Sequence, residues 1–298
     1  MSARQIIKRL IPRQLLRLRW RYQAWRFYRS RALTQQAVGQ VDDHWRQRIA
    51  DVLASPDNAV LPRVPSAGRL EGAWITMHNG LQVCANGYYG AGMLNLLLAS
   101  RGVHEPQEEV AFERVATVQP EDCVMLELGA YWGFYSMSLL LRRPRARCYL
   151  VEPELSHLVA GRLNFRRNGL QGVFVEACVG NEPRRTPPTI TVDSFCADRG
   201  IEHLHILHAD IQGHELSMLA GARRMLSERR VGYVFLSTHS NELHPACLAG
   251  LRSRPFHILA EAALEATYSF DGLLVARRDD LSGHEVIEIS KKSAPSPT

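Results

Sequence analysis

From Cys123 onwards, short apolar runs alternate with longer amphipathic ones, and no other feature of the sequence restricts its fold so strongly. "CVMLELG", "RCYLVEP", "GVFVEACVG", "HLHILHADIQG" and "VGYVFLSTHS" have the length and apolar content of buried strands. Between them, "FYSMSLLLRR", "LSHLVAGRLNFRRNG", "HELSMLAGARRMLSER" and "NELHPACLAGLRSR" keep helical spacing, and Asn168-Gly169 is a sound stop signal. Strands that alternate with helices in this way predict an α/β fold, with a mostly parallel sheet covered by helices on both faces. "FHILAE" and "GLLVARR" lie about ten residues apart and read as antiparallel neighbours. They bring the predicted sheet to seven strands, with the terminal strand antiparallel.

Upstream of this pattern the organisation changes. Residues 1–34 are predicted to form a basic arm, residues 35–103 a helix and hairpin extension, residues 104–288 the α/β domain and residues 289–298 a disordered tail. "VDDHWRQRIADVLAS" reads as a helix and is followed by a Pro/Gly-bearing linker. "WITMHNGLQVCANGYYG" alternates and turns at Asn79-Gly80 and Asn86-Gly87, a hairpin signal. "HEPQEEVAFERVATV" reads as a helix with acids at its N-terminal end, where the helix dipole favours them.

Charge is unevenly spread. Of the 36 Lys and Arg residues, ten lie in residues 1–41, which hold no acid, so the remaining 26 face 30 acids. The body is mildly acidic, which speaks against nucleic acid as a partner. After Pro12 a helix would align Leu15, Leu18, Tyr22 and Trp25 on one face and Arg13, Arg17 and Arg21 on another. Three readings of the arm stay open: an interfacial helix making peripheral contact with anionic lipid, a transit peptide, or a solvated helix packed on the body. Six scattered cysteines without a Cys-x-x-Cys pair, and no apolar run of spanning length, lead to the expectation of a cytoplasmic protein with reduced thiols.

In a sheet of this kind, ligands bind at the carboxyl ends of the strands. Those tips carry Glu127 to Gly129, Glu152, Cys178, Asp210 and His239. The first tip opens the turn "LELGAYWGFYS", with Gly129 and Gly133 in Gly-x-x-x-Gly spacing and Ala130, Tyr131 and Trp132 between them. A dinucleotide turn would use Gly-x-Gly-x-x-Gly and set a pyrophosphate on the helix N-terminus. Here Tyr131 stands at the position of close backbone approach, and Glu127 would repel a phosphate. An adenosine ligand with a positive group suits the turn better. S-adenosylmethionine fits, with its carboxylate on the helix-terminal amides and its ribose hydroxyls on Glu152.

The segments "LELGAYWGFYS", "VEP", "NFRRNG", "TVDSF" and "HADIQGHELSMLAGA" resemble, in the same order, those of FkbM-family methyltransferases. The resemblance covers roughly residues 104–278. It implies the Rossmann-like class I methyltransferase fold, S-adenosyl-L-methionine as cofactor, and O-methylation of sugars or secondary-metabolite hydroxyls. Two departures stand out: Ala130-Tyr131 where the family carries a small residue and Asn, and His208 where it usually carries Lys.

Methyl transfer to an alcohol needs alignment, exclusion of water and removal of a proton. His239 in "STHS" is expected to be the general base, and Asp210 to orient the acceptor or the cofactor's ammonium. The expected cofactor contacts are Glu127, Gly129, Ala130, Tyr131, Trp132, Gly133, Glu152 and Cys178. No metal is expected, because in "HLHILH" His203 and His205 share a strand face while His208 points to the other. The expected acceptor is a small molecule or glycan: a saccharide, a glycolipid or a secondary metabolite. Two other readings compete: an NAD-dependent oxidoreductase, and a membrane-docked binding protein whose Tyr131 fills a degenerate cofactor pocket.

Overall fold

The computed structural model describes residues 13–292. Among the described residues, four helices come first: α1 (Arg13–Tyr28), α2 (Arg31–Ala37), α3 (Asp43–Ala54) and the short α4 (Pro56–Val60). A small antiparallel sheet of β1 (Leu70–Glu71), β2 (Trp74–Thr76) and β3 (Gln82–Cys84) follows, then α5 (Gly90–Ser100) and α6 (Pro106–Thr117). The alternating part runs β4 (Val124–Leu128), α7 (Phe134–Arg142), β5 (Arg147–Val151), α8 (Leu155–Arg167) and β6 (Val173–Val175). A second small sheet, β7 (Cys178–Val179), β8 (Arg184–Arg185) and β9 (Pro188–Ile190), leads to α9 (Val192–Asp198). The chain ends with β10 (Leu204–Ala209), α10 (Glu215–Gly221), α11 (Arg223–Ser227), β11 (Val231–Thr238), α12 (Leu243–Arg252), β12 (Phe256–Ala262) and β13 (Gly272–Arg278).

The main sheet has seven strands in the order β12-β13-β11-β10-β4-β5-β6. Strands β11, β10, β4, β5 and β6 pair parallel, and β13 runs antiparallel to both β11 and β12. The class I methyltransferase fold expected from the sequence is therefore present. From β4 the chain winds outward to β6, then returns to place β10 on the other side of β4. That reversal leaves a crevice at the carboxyl ends of β4 and β10, where open α/β sheets bind ligands.

Because both faces of the sheet are covered, its strands are apolar throughout rather than alternating. Met125, Ile206 and Phe235 pack into one core with Phe112 and Phe134. Their sequence neighbours Leu126, Leu207 and Leu236 pack into the other, with Phe195, Met218 and Leu251. The first core also takes in Val52, Ile75, Met77 and Leu94, so residues 35–103 share the core of the α/β domain.

Two local features differ from the sequence expectations, and a third, at "TVDSF", was not assigned by them. "GVFVEACVG" breaks into β6 and β7, which belong to different sheets. "TVDSF" begins a helix, capped reciprocally by the Thr191 and Ser194 side chains. The tail was expected to be disordered from residue 289, yet Ile289 packs against the core and Ser290 N–H donates to Asp57 Oδ2 at 2.8 Å. Lys291 and Lys292 pair with Glu261 and Asp51, both at 2.9 Å. The rest of the expected tail, residues 293–298, lies outside the described residues, as do residues 1–12 of the arm.

In the arm, α1 lies on α8 through Ala24, Trp25 and Tyr28 against Val159, Ala160 and Leu163. Arg17 turns toward the body and pairs with Glu176. Trp25 therefore leaves the expected face, while Leu15, Leu18, Trp20 and Tyr22 stay exposed. Among the described residues, no helix is long and apolar enough to cross a membrane.

Candidate active site

A cavity of about 620 Å³ opens at the carboxyl ends of β4, β5, β7 and β10. That volume lies within the range of small-molecule sites. Of the expected cofactor contacts, Glu127, Gly129, Ala130, Tyr131, Trp132, Glu152 and Cys178 line it, together with Asp210. Gly133 lies beneath the lining, where a Cβ would meet Leu150 and Phe165 at 2.8 Å.

The glycine turn is built by close approach. Gly129 has φ +72°, and a Cβ there would stand 1.7 Å from the Asp210 carbonyl oxygen. Only glycine lets β4 and β10 deliver their tips side by side at this point. The Gly129 and Ala130 amides both donate to the Val151 carbonyl, at 2.9 and 3.0 Å, which ties the turn to β5.

Glu127 does not stand free at the mouth of the turn. It is buried, and its Oε2 accepts the Ser136 N–H at 3.0 Å. The amides at the start of α7, expected to hold a cofactor carboxylate, are thus engaged by a side chain of the protein. Burial raises the Glu127 pKa, which His208 and the α7 amides oppose.

At the end of β5, Glu152 Oε2 accepts the Tyr131 N–H at 3.2 Å. Its Oε1 accepts the Glu154 N–H at 2.8 Å and lies 3.2 Å from His157 Nδ1. A carboxylate offers about four acceptor positions, so capacity remains for a ligand hydroxyl. Tyr131 sits in the left-handed region at φ 41°, with its ring stacked on His157 at 3.6 Å between centroids. Trp132 is buried against Tyr88, with rings 4.6 Å apart and nearly parallel. Cys178 is half-buried and free, like the other five cysteines.

Asp210 follows β10, and the loop after it is strained, with Gln212 at φ 52° and Gly213 at φ 94°. Glu215, fully buried, holds this loop together. Its Oε1 accepts the Ile211 and Gly213 N–H groups at 3.3 Å and lies 3.0 Å from His239 Nδ1. His239 Nε2 in turn lies 3.0 Å from Asp210 Oδ1 and 3.4 Å from Asp271 Oδ1.

Of these three, only Asp210 lines the cavity; His239 and Asp271 stand behind it. Burial lowers the His239 pKa, but Asp210, Glu215 and Asp271 more than reverse this and bring it to about 10. Gln212 Nε2 also lies 2.8 Å from His239 Nε2, so the ring nitrogen that faces Asp210 is shared between an amide and two carboxylates. Burial and the neighbouring Asp210 push the Asp271 carboxyl the other way from an ordinary carboxylate, up to about 7.

The histidines of "HLHILH" separate as the strand period requires. His203 and His205 lie together, 4.8 Å between ring centroids, and His205 Nδ1 accepts the Val124 N–H at 3.0 Å. His208 faces the other way, its Nε2 2.6 Å from Glu108 Oε1. Among the described residues, the group with metal-ligand spacing is a different one, Asp210, His239 and Asp271, whose ligating atoms lie within 4.8 Å of one another.

Several cavity residues escaped the sequence reading. Tyr88, Tyr89, His104 and Glu105 arrive from the segment before the alternating pattern, and His157 from α8. "HEPQEE" drew attention as a helix start and as the upstream limit of the family resemblance, not as part of a site, and Asp271 precedes an antiparallel strand, a place where strand-tip reasoning does not look.

Residues 116–258 match the family model described as "Methyltransferase FkbM domain". Among curated proteins, none matches the chain at a significant level. Solved structures with a similar arrangement include TrmK of M. capricolum in complex with S-adenosyl-homocysteine. It is 11% identical, with 58% of this chain and 70% of that chain covered and a TM-score of 0.41. A precorrin-6y C5,15-methyltransferase of Geobacter metallireducens GS-15 is 14% identical over 58% of this chain and 88% of its own, at a TM-score of 0.41. An rRNA methylase of Streptococcus thermophilus is 13% identical over 58% and 96%, at a TM-score of 0.44. The family match is what identifies the domain: residues 116–258, just under half of the chain, match the FkbM methyltransferase model, and the chain is an S-adenosylmethionine-dependent methyltransferase.

Proposed function

We propose that this enzyme methylates a hydroxyl group of a saccharide, a glycolipid or a secondary metabolite. The observation that carries the reading is the Asp210–His239–Asp271 unit at the cavity edge. An alcohol must lose its proton as it is methylated, so such an acceptor calls for a proton acceptor beside the reacting oxygen. Two carboxylates around one imidazolium form a unit that takes up one proton near neutral pH. Asp210 faces the acceptor, Asp271 holds the proton, and His239 keeps the two carboxylates together.

The cofactor site fits a cationic adenosine compound. Glu152 would take the ribose hydroxyls, and Tyr131, Trp132 and Cys178 would form the walls, with the turn from Gly129 through Ala130 to Gly133 as the floor. The cofactor supplies a methyl group already activated by its sulfonium. The protein's part is to align the acceptor and keep water out. Tyr88, Tyr89 and Tyr131 crowd one side of the cavity, and Tyr89 is half-exposed. Such rings combine an apolar face with a polar edge, which suits the face of a sugar.

The outward residues of α1 combine Leu15, Leu18, Trp20 and Tyr22 with Arg19 and Arg26, and this mixture supports peripheral contact with an anionic membrane surface.

The first test is calorimetric titration of wild type and Glu152→Ala with S-adenosylmethionine and S-adenosylhomocysteine. It is followed by assay of S-adenosylhomocysteine release with hydroxyl and amine acceptors. Binding that is lost in the variant, with release dependent on a hydroxyl acceptor, is expected. Turnover confined to amines would overturn the O-methyltransferase reading.

A further inference from the structure

The acids of the cavity are not balanced alike. Glu105, at the N-terminal boundary of α6, lines the cavity with a side chain 13% exposed. Its Oε2 accepts from the Tyr135 hydroxyl at 2.7 Å and lies 3.3 Å from His104 Nε2. Among the described residues, Oε1 has no hydrogen-bond or ion-pair partner. His104 is itself committed to Glu109, 2.6 Å from its Oε1. The buried Arg48 guanidinium acts on Glu105 through space but donates to the carbonyls of His104 and Tyr268 rather than to a carboxylate.

A carboxylate largely withdrawn from water, with one oxygen facing only the cavity, is favoured by a cation brought by a ligand. Burial above all raises the Glu105 pKa, with Glu108 and Asp210 adding to it, against His104 and the Tyr135 hydroxyl. Glu152, across the glycine turn at the end of β5, is satisfied by two amides and by His157. The two acids thus offer different things: Glu152 offers acceptors for neutral hydroxyls, and Glu105 offers a carboxylate oxygen that has no partner among the described residues.

We propose that Glu105 is the residue that binds the α-ammonium group of the cofactor's amino-acid moiety, with the Tyr135 hydroxyl and His104 holding the carboxylate in place. This assignment rests on the S-adenosylmethionine reading. It gives a function to a segment outside residues 116–258 and means that the methyltransferase cavity is incomplete without the chain that precedes the domain.

The test compares three ligands on wild type and Glu105→Gln by calorimetry: S-adenosylmethionine, S-adenosylhomocysteine and 5′-methylthioadenosine, which lacks the amino-acid moiety. The variant is expected to bind the first two at least tenfold more weakly, and 5′-methylthioadenosine within twofold of wild type. Equal loss for all three, or no loss for any, overturns the assignment. Loss for S-adenosylmethionine alone would mean that Glu105 serves the sulfonium, which also overturns it. If the variant fails to fold, wild type decides the matter with S-adenosylhomocysteine and its deamino analogue. At least tenfold weaker binding of the analogue supports the assignment, and equal binding overturns it. A wild type that binds none of these adenosine compounds would sink the cofactor reading itself, a result distinct from a Glu105 variant that binds normally.

Discussion

Glu105 and Glu109 stand one helical turn apart at the start of α6, both are largely withdrawn from water, and they have opposite electrostatic fates. Glu109 Oε1 accepts the His104 and Glu105 N–H groups at 2.8 and 3.0 Å, and its Oε2 lies 3.0 Å from His78 Nε2. Despite burial, His104 and His78 hold its carboxyl well below the usual range. Glu105 has one oxygen without a partner, and its pKa goes up. Burial is common to both, so the number of partners decides. A paired acid is part of the scaffold, and an unpaired one marks where a ligand or a proton is to be received.

The largest effect should come from breaking the paired acid. Glu109→Ala leaves two buried histidines and two amides uncompensated, and should cost about 3–5 kcal/mol of stability, read from denaturant unfolding. The pH dependence has a definite sign. The stability that Glu109 contributes is present above the unfolded carboxylate value and is lost as pH falls through its depressed folded value. His78 and His104 are raised, so their share is present below the ordinary histidine value and is lost as pH rises through the folded ones. The contribution is therefore greatest between the two limits. A flat profile from acid to neutral pH would show that Glu109 is not the paired acid described.

Removing an acid whose pKa is raised should do the reverse, lowering turnover while sparing the fold. Wild-type methyl transfer is expected to rise with pH through about 7, as the Asp271 carboxyl ionises. Asp271→Asn should flatten that rise and slow the reaction about a hundredfold or more. Its melting temperature should hold or increase, because a crowded negative charge is removed. A large loss of stability with an unchanged pH–rate profile would place Asp271 in the scaffold with Glu109.

The smallest effect on stability belongs to the arm, where the apolar residues have no partner to lose. Trp20 is 66% exposed, and Trp20→Ala should change stability by no more than about 0.5 kcal/mol. Sedimentation with vesicles of anionic phospholipid should nonetheless fall in this variant. Wild type that does not sediment with such vesicles would remove the membrane contact altogether.

Much of the site was legible because a strand announces its own end. Glu127, Glu152 and Asp210 each close an apolar run, and parallel strands bring those ends to one edge of the sheet. What they do there was less legible. Glu127 accepts an amide at the start of α7 as well as lining the cavity, because the turn that follows it folds back onto its side chain. His239 is surrounded by three acids, and only these spatial neighbours raise its pKa above that of an ordinary histidine.

The sequence by itself determined the alternation of strand and helix, the glycine that lets β4 meet β10, and the acids at the strand tips. These follow from local periodicity and from steric rules that act within a few residues. Only the tertiary structure decided that residues 35–103 share the core of the sheet, that Glu105 and Asp271 reach the same edge as Asp210, and which acids found partners. Those outcomes depend on distances between segments far apart in the chain. The energy of a buried charge is set by what stands within a few ångströms of it, and not by its place in the sequence.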